Sequence, residues 1–228
     1  MRIAIDGPAG AGKSTVAKRV ADRLGYLYVD TGAMYRALTW KALQAKADLN
    51  SEADLVHLLK DCTIQLEPTE EGLRVLVDGE DVTQHIRSEK VSQYVPAVAR
   101  FPEVRRYMVE AQRNIASQQK VVMDGRDIGT HVLPDAEVKF YLTASIEERA
   151  KRRFNELKKK GPVTLEEVME AIRQRDAQDK ERKTAPLKKA DDAIVIDTTG
   201  KSVEEVINLI LSYIKQKGLR ENSTYVDL

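Results

Sequence analysis

Short apolar runs alternate with amphipathic segments along most of the chain. The apolar runs predict five strands, at residues 2–6, 26–29, 120–123, 138–142 and 193–197. Apolar residues at helical spacing follow the strands, for example at residues 16–24 and 203–214. Because strands that alternate with helices form a parallel sheet with helices on its faces, this pattern predicts an α/β fold.

Two segments interrupt the alternation. Residues 63–84 alternate apolar and polar positions around Asp78-Gly79, which predicts a small inserted antiparallel ribbon. Residues 154–165 contain a basic run that ends at Gly161-Pro162, and they could form either a short mobile lid over a phosphate chain or a surface hairpin. We therefore expect a core of residues 1–60 and 85–220, an inserted ribbon at 61–84, a lid at about 154–165 and a polar tail at 219–228.

The first predicted strand leads directly into a glycine-rich loop. The segment Gly7-Pro8-Ala9-Gly10-Ala11-Gly12-Lys13-Ser14-Thr15 contains the G-x-x-x-x-G-K-[ST] phosphate-binding motif. Its glycines allow backbone N–H groups to approach phosphate oxygens, and the following helix offers the positive end of its dipole. Lys13 supplies a cation and Ser14 a hydroxyl ligand for Mg²⁺. The motif predicts a nucleoside triphosphate site and a P-loop NTPase-type sheet, but it does not specify the reaction.

Polar residues also follow the second and third predicted strands. Thr31 and Arg36 come after the second strand, and Asp124-Gly125-Arg126-Asp127 comes after the third. In a doubly wound sheet, ligands bind outside the carboxyl ends of the strands. We expect these residues beside the phosphate-binding loop, with Asp124 as a candidate Mg²⁺ ligand. The alternative is that they are capping, turn and solvated helix residues.

A later helix changes character along one face. Its apolar stripe starts at Leu165 and continues by helical geometry through charged residues, namely Arg175, Asp176, Asp179 and Arg182. Such a face predicts a helix that leaves the interior and enters a polar cleft; a solvated continuation is the alternative.

The amino-acid composition limits the kinds of partner that the chain is expected to bind. Lys+Arg 37 against Asp+Glu 36 gives a net charge of +1, so we expect no binding to nucleic acid or to an anionic membrane surface. The single cysteine, Cys62, suits a reducing cytosol, and no apolar run approaches the ~20 residues of a membrane span. The chain begins at the first strand, so no signal peptide is expected. These features favour a cytoplasmic protein.

Among phosphate-loop proteins, a small-molecule kinase explains the arginines best. A GTPase switch would need an N-K-x-D box, and the nearest string, Lys188-Lys189-Ala190-Asp191, lacks the asparagine. A phosphate acceptor, with a second pKa of about 6, needs no general base, whereas an alcohol acceptor would need one and Asp127 is the candidate. A kinase for another small acceptor and a non-catalytic, nucleotide-dependent regulatory protein remain the alternatives.

Five motifs in order resemble the bacterial type of cytidylate kinase, within the nucleoside monophosphate kinases, over nearly the whole chain. They are Ile5 to Thr15, Asp30 to Arg36, Phe101 to Arg105, Asp124 to Thr130, and Arg175-Asp176 through Arg182. The resemblance implies transfer of the ATP γ-phosphoryl group to CMP or dCMP with Mg²⁺ held by Ser14 and Asp124, and we expect a monomer. It also implies that the inserted ribbon enlarges the monophosphate-binding region.

The resemblance assigns residues to each part of the reaction. It places the acceptor phosphate at Thr31, Arg36 and Arg126. The ribose would lie near Arg175 and Asp179, and the cytosine edge near Arg105, Asp127 and Arg182. The lid arginines Arg152 and Arg153 would approach the ATP phosphates, and together with Lys13, Arg126 and Asp127 they are the predicted catalytic residues.

Pro96 is expected to affect both the fold and the site. The helical pattern over residues 89–118 should break near Pro96 and at Phe101-Pro102. The family pattern has a serine at the position of Pro96. Since Pro96 lacks the serine hydroxyl, one of the contacts to the base that the resemblance implies has no side chain to make it.

Overall fold

A computed structural model describes residues 1–69, 72–159 and 161–223, and the side chains of all of these except 219–223. The elements in chain order are β1 (Arg2–Asp6), α1 (Lys13–Leu24), β2 (Leu27–Asp30), α2 (Thr31–Gln44), α3 (Glu52–Asp61), β3 (Ile64–Thr69), β4 (Gly72–Val77), β5 (Glu80–Asp81), α4 (Glu89–Ala99), α5 (Pro102–Gln118), β6 (Val121–Gly125), β7 (Val138–Thr143), α6 (Ile146–Leu157), α7 (Leu165–Glu181), β8 (Ile194–Asp197) and α8 (Val203–Ser223). A π-helical turn, Ile128–Val132, follows β6.

Five described strands form a parallel sheet in the order β2-β6-β1-β7-β8, as predicted. The central strand β1 pairs with β6 on one side and β7 on the other, and its residues Ile3 to Ile5 are fully buried. Strands covered on both faces need continuous apolar runs, which is why these segments lack a polar face. The register sets Asp30 beside Asp124 and Asp6 beside Gly125, so the polar strand ends lie together at one edge.

Helices cover both faces of this sheet. On one face, residues of α1 and α8 such as Val16, Val20 and Ile207 pack against the strands. On the other face, α5 and the π-helical turn supply Val109 and Ile128 to a separate cluster. The layers therefore bury the strands and leave their carboxyl ends as the accessible edge.

The inserted ribbon is present as a three-stranded antiparallel sheet in the order β3-β4-β5. Its residues Val75 and Val77 are buried in a cluster with Leu55 of α3 and Val98 of α4. The ribbon thus packs against the helices that follow β2, and Leu66 of β3 also contacts the cluster on one face of the parallel sheet.

The helical segment after the ribbon breaks once rather than twice. α4 continues through Pro96 to Ala99, and α5 begins at Pro102, so the predicted break at Pro96 is wrong. A proline inside a helix removes one backbone hydrogen bond. Burial of Val91, Val95 and Val98 on one face of α4 holds the helix despite that loss.

The last helices bound the predicted lid and tail. α6 ends at Leu157, and α7 begins at Leu165 with a reciprocal capping box between Thr164 and Glu167. Lys160, within the predicted lid, lies outside the described residues. α8 runs to Ser223, so helix replaces the start of the polar tail that was predicted from residue 219, and residues 224–228 lie outside the description. Of the described helices, none is long and apolar enough to cross a membrane.

Candidate active site

The phosphate-binding loop connects β1 to α1 and has the backbone conformation that its glycines predict. Gly7, Gly10 and Gly12 have φ angles of 148°, 77° and 84°, a region that side chains rarely allow. At Gly7, an added Cβ would lie 2.0 Å from the carbonyl oxygen of Leu142. The loop can therefore approach β7 this closely only without a side chain at residue 7.

Lys13 is the first residue of α1 and is buried under the loop. Its Nζ donates to the carbonyl oxygen of Pro8 at 2.7 Å. Burial and the nearby charge of Arg126 lower the pKa of Lys13 to about 7. The ammonium group thus lies against the loop and near the guanidinium group of Arg126. A bound anion would offset the repulsion between these two positive charges.

Ser14 and Asp124 place two side-chain oxygens close together at the carboxyl end of β6. The Ser14 hydroxyl donates to Oδ2 of Asp124 at 2.9 Å, and the Tyr28 hydroxyl donates to Oδ1 of the same carboxylate at 2.9 Å. Burial and the charge of Asp30 raise the pKa of Asp124 to about 7. The described residues contain no group of three or more His, Cys, Asp or Glu side chains suited to a metal. This donor set fits Mg²⁺, which takes one or two protein oxygens and completes its shell with water and phosphate.

A cavity of about 450 Å³ opens beside the loop, at the carboxyl ends of β2 and β6. We call it the arginine cavity, because its lining, within the described residues, includes seven arginines: Arg36, Arg87, Arg105, Arg126, Arg153, Arg175 and Arg182. Ser14, Thr31, Asp124, Asp127 and Asp179 line the same space. The predicted acceptor residues, which come from four separate segments of the chain, therefore share one cavity.

Arg126 and Arg175 form the most positive part of the cavity wall. Nε of Arg126 donates to Oδ2 of Asp179 at 2.8 Å. Arg175 is half-buried, and its buried Nε has no hydrogen-bond partner in the part of the chain that the structure describes. Burial and the charge of Arg126 lower the pKa of Arg175 to about 10. An anion in the cavity would satisfy Arg175 and offset the repulsion between the two guanidinium groups.

Thr31 and Arg36 occupy the start of α2, which Asp30 caps by accepting from the amide of Ala33. The Thr31 hydroxyl donates to the carbonyl oxygen of Asp124 at 2.8 Å. Arg36 donates through Nη1 to Oγ of Ser92 at 2.7 Å, and burial lowers its pKa. Thr31 thus connects α2 to β6, and Arg36 connects α2 to α4.

Asp127 lies between two arginines at the far end of the cavity. It forms an ion pair with Arg105, and its Oδ1 lies 3.6 Å from Nη2 of Arg182. The Tyr35 hydroxyl nearby is buried without a partner among the described residues. The two guanidinium groups thus hold the Asp127 carboxylate in the cavity wall.

The cytidylate kinase family model matches residues 3–216. The chain belongs to the cytidylate kinase family. A cytidylate kinase of Geobacillus kaustophilus (strain HTA426) is 56% identical over 216 residues, which cover 94% of this chain and 96% of that protein. A cytidylate kinase of Bacillus subtilis (strain 168) is 53% identical over 218 residues, which cover 95% and 97%.

Family membership confirms the predicted class of reaction. The chain is a kinase, a phosphotransferase with small-molecule nucleotide substrates, and phosphorylation of CMP and dCMP is the activity of cytidylate kinases. A crystal structure of an uncharacterized protein from Eubacterium ventriosum ATCC 27560 has a similar fold, with a TM-score of 0.53 and 15% identity over 94% of this chain and 98% of that one. Arginine-rich walls beside a phosphate-binding loop are the geometry that a cytidylate kinase needs.

Arg152 and Arg153, the two arginines predicted to reach the ATP phosphates, point in different directions. Both lie on α6 rather than in the connection that follows it. Arg152 donates to the side chain and the carbonyl oxygen of Thr198, and its Nη1 lies 3.8 Å from where a Cβ on Gly12 would be. Arg153 instead lines the arginine cavity, where it pairs with Glu156 at 2.8 Å. Only Arg152 lies beside the phosphate-binding loop, because the two side chains leave the helix in different directions.

The sequence placed Asp176 on the face that enters the polar cleft, but it did not predict that Asp176 and Arg149 hold the phosphate-binding loop. Arg149 of α6 donates to the carbonyl oxygen of Ala9 at 3.0 Å, and Asp176 of α7 accepts from the amide of Ala9 at 3.3 Å. The sequence assigned no role to Arg149, although its position one turn after the Ser145 cap was a signal for packing against the sheet. Arg87 of the cavity and Tyr28, which contacts Asp124, carried no signal in the sequence.

Proposed function

We propose that the arginine cavity binds CMP or dCMP as phosphoryl acceptor while the phosphate-binding loop binds ATP. The single observation that carries this proposal is the buried Arg175 Nε, which lacks a described partner in a cavity that Arg36 and Arg126 also line. Buried guanidinium groups require anionic partners, and a phosphate monoester supplies the oxygens that guanidinium forks bind in pairs. The cavity lies next to the loop, so donor and acceptor would meet at the carboxyl edge of the sheet.

Each side chain has a distinct task in this proposal. Lys13 and the amides of the loop would hold the donor phosphates, while Thr31, Arg36 and Arg126 hold the acceptor phosphate. Because an acceptor phosphate is largely ionised at neutral pH, the chain needs no base and mainly positions the two phosphates and balances their charge. Ser14 and Asp124 would hold Mg²⁺. When bound, Mg²⁺ neutralises charge on the donor phosphates.

The far end of the cavity would recognise the base. Asp127 can accept a hydrogen bond from the exocyclic amine of cytosine, which uracil replaces with a carbonyl oxygen. Arg105 and Arg182 fix that carboxylate and offer donors of their own. This arrangement would favour CMP over UMP, because a carbonyl oxygen facing the carboxylate leaves both groups unpaired. Arg175 and Asp179 would lie at the ribose.

We further propose a cytoplasmic monomer in which the inserted ribbon supports the acceptor side. The ribbon packs in the cluster that contains Leu55 and Val98, next to the helices that carry Arg36 and Ser92. The single cysteine, half-buried as a free thiol, suits a reducing compartment.

Release of ADP with a panel of acceptors tests the proposal. The full-length protein is given ATP and Mg²⁺ with CMP, dCMP, UMP, AMP or GMP, and ADP is measured by a coupled assay. Rapid release with CMP or dCMP supports the proposal, and preference for a purine monophosphate or for an unphosphorylated acceptor contradicts it. Lys13→Ala should abolish transfer while its circular dichroism spectrum stays native, which separates lost chemistry from lost folding.

A further inference from the structure

Two charged residues outside the phosphate-binding motif hold the loop at Ala9. Asp176 and Arg149 are both buried, at 8% and 7% exposed. Asp176 accepts the Ala9 amide through Oδ1, and its Oδ2 accepts from Nη1 of Arg149 at 2.6 Å. The same Nη1 donates to the Ala9 carbonyl oxygen. Both polar groups of one loop residue are therefore bound by a single ion pair.

This contact fixes the peptide units on both sides of Ala9. The amide of Ala9 shares one planar unit with the carbonyl group of Pro8, which accepts from Nζ of Lys13 at 2.7 Å. Asp176 and Lys13 thus hold opposite ends of the same peptide unit. On the other side, the Ala9 carbonyl shares its plane with the amide of Gly10, so Arg149 sets the direction in which that amide points.

Arg149 is itself held in place. Its Nε donates to the carbonyl oxygen of Ala144 at 3.1 Å, next to the end of β7. An added Cβ on Gly10 would lie 3.0 Å from the Cβ of Arg149, so the loop and α6 are in direct contact. The pair therefore ties the loop to the sheet through Arg149 and to α7 through Asp176.

We propose that Arg149 and Asp176 are positioning residues for the donor nucleotide, which set the loop amides and Lys13 for the ATP phosphates. The inference rests on the proposed binding of ATP at the phosphate-binding loop. Neither side chain lines the arginine cavity, although Arg175 and Asp179 flank Asp176 on α7. The pair should consequently act on donor binding and leave acceptor binding largely unchanged.

Asp176→Asn provides the main test, because it keeps the shape of the side chain and removes the charge that Arg149 requires. We expect the KM for ATP and the Kd for ADP, measured by calorimetry on the full-length protein, to rise about tenfold or more, as expected for a lost hydrogen bond to a charged group. The KM and Kd for CMP should stay near the wild-type values. Glu170→Gln, which alters an exposed ion pair with Arg173 on the same helix, is the matched control and should change neither.

A second set of variants separates positioning from general stability. Arg149→Met should weaken ADP binding, and Arg149→Lys, which keeps the charge, should recover part of it. The double variant Arg149→Met/Asp176→Asn should be no weaker than the worse single variant, because both act on the same peptide units. Circular dichroism shows whether each variant is folded at the temperature of the measurement.

Two results would overturn the inference: wild-type ADP binding in folded Asp176→Asn, or an equal loss of ADP and CMP binding. Failure of the underlying proposal has a different signature. In that case the wild-type protein would fail to bind ADP, or Lys13→Ala would bind it as tightly as the wild type.

Discussion

Nε of Arg126 donates to Oδ2 of Asp179 across 2.8 Å and so joins the turn after β6 to α7. Burial opposes ionisation of Asp179, but the charges of Arg126 and Arg175 outweigh it and lower the pKa of that carboxyl group. The carboxylate in turn reduces the repulsion between the two arginines. Asp179 is thus a counter-charge that Arg126 and Arg175 share.

Loss of Arg126 should therefore impair acceptor use specifically. We expect Arg126→Ala to lower kcat/KM for CMP by roughly 10²-fold or more, because it removes a charge-assisted contact that is strongest when charge moves between the phosphates. Arg126→Lys keeps the charge but lacks the paired donors of the guanidinium group. Its kcat/KM for CMP should therefore lie between those of the wild type and Arg126→Ala. Steady-state kinetics check both, with the Kd for ADP as the internal reference. Normal CMP turnover in Arg126→Ala would refute the assigned role.

Removal of Mg²⁺ should stop transfer but leave acceptor binding intact. Ser14 and Asp124 are the only protein ligands proposed for the ion, and phosphate oxygens are expected to complete the site. With excess EDTA, ADP release should cease while calorimetry still detects CMP. Asp124→Asn should raise the Mg²⁺ concentration for half-maximal activity by about tenfold, since it removes the charged ligand. Full activity in EDTA would contradict the assignment.

The stability of the protein should depend on the ionisation of Asp6. The Asp6 carboxylate accepts from the amides of Ile128 and Gly129 at 2.8 and 2.7 Å, yet burial dominates and raises its pKa to about 6 from 3.8. Between these values the folded state holds a proton that the unfolded state has released. The free energy of unfolding should therefore decrease as the pH rises through this window, by up to about 3 kcal/mol from this group.

Urea unfolding of wild type and Asp6→Asn between about pH 4 and about pH 7 measures this effect. The difference in unfolding free energy, wild type minus variant, should decrease as the pH rises. A difference for Asp6→Asn that grows with pH would contradict the prediction.

Two glycines with positive φ angles should respond very differently to alanine. At Gly7, with φ 148°, the new Cβ would lie 2.0 Å from the Leu142 carbonyl oxygen. We expect Gly7→Ala to cost about 3 kcal/mol or more, because the loop must move away from β7. Gly25 ends α1 with φ 64°, and no described atom lies within 4 Å of its added Cβ. Gly25→Ala should cost only about 1 kcal/mol, and thermal or urea unfolding of both variants makes the comparison.

The sequence predicted the sheet well because each strand carries its own signal. Strands buried on both faces appear as unbroken apolar runs, and the loop motif marks the end of the first one. The rule that ligands bind at strand ends predicts that Arg36 and Arg126 lie in one cleft, and both residues line the cavity.

Contacts that depend on side-chain direction were harder to predict. Arg152 and Arg153 are neighbours in the sequence, but Arg152 contacts Thr198 beside the phosphate-binding loop and Arg153 lines the cavity, because successive helix residues point about 100° apart. Arg149 and Asp176 meet at Ala9 only because α6 and α7 pack together, which no local pattern specifies. Pro96 led to a wrong prediction of a helix break, since tertiary burial of α4 overrode this local helix-breaking signal.

The position of β1 also affects how the chain folds. The strand that leads into the phosphate-binding loop is made first, yet it takes the middle of the sheet, between β6 and β7. Its partners, Val121–Gly125 and Val138–Thr143, come more than a hundred residues later. During synthesis β1 must therefore wait until the segments that form β6 and β7 have emerged before it can pair on both sides. A nascent chain that stops before Thr143 lacks the neighbours that shape the loop, so nucleotide binding should arise late in translation.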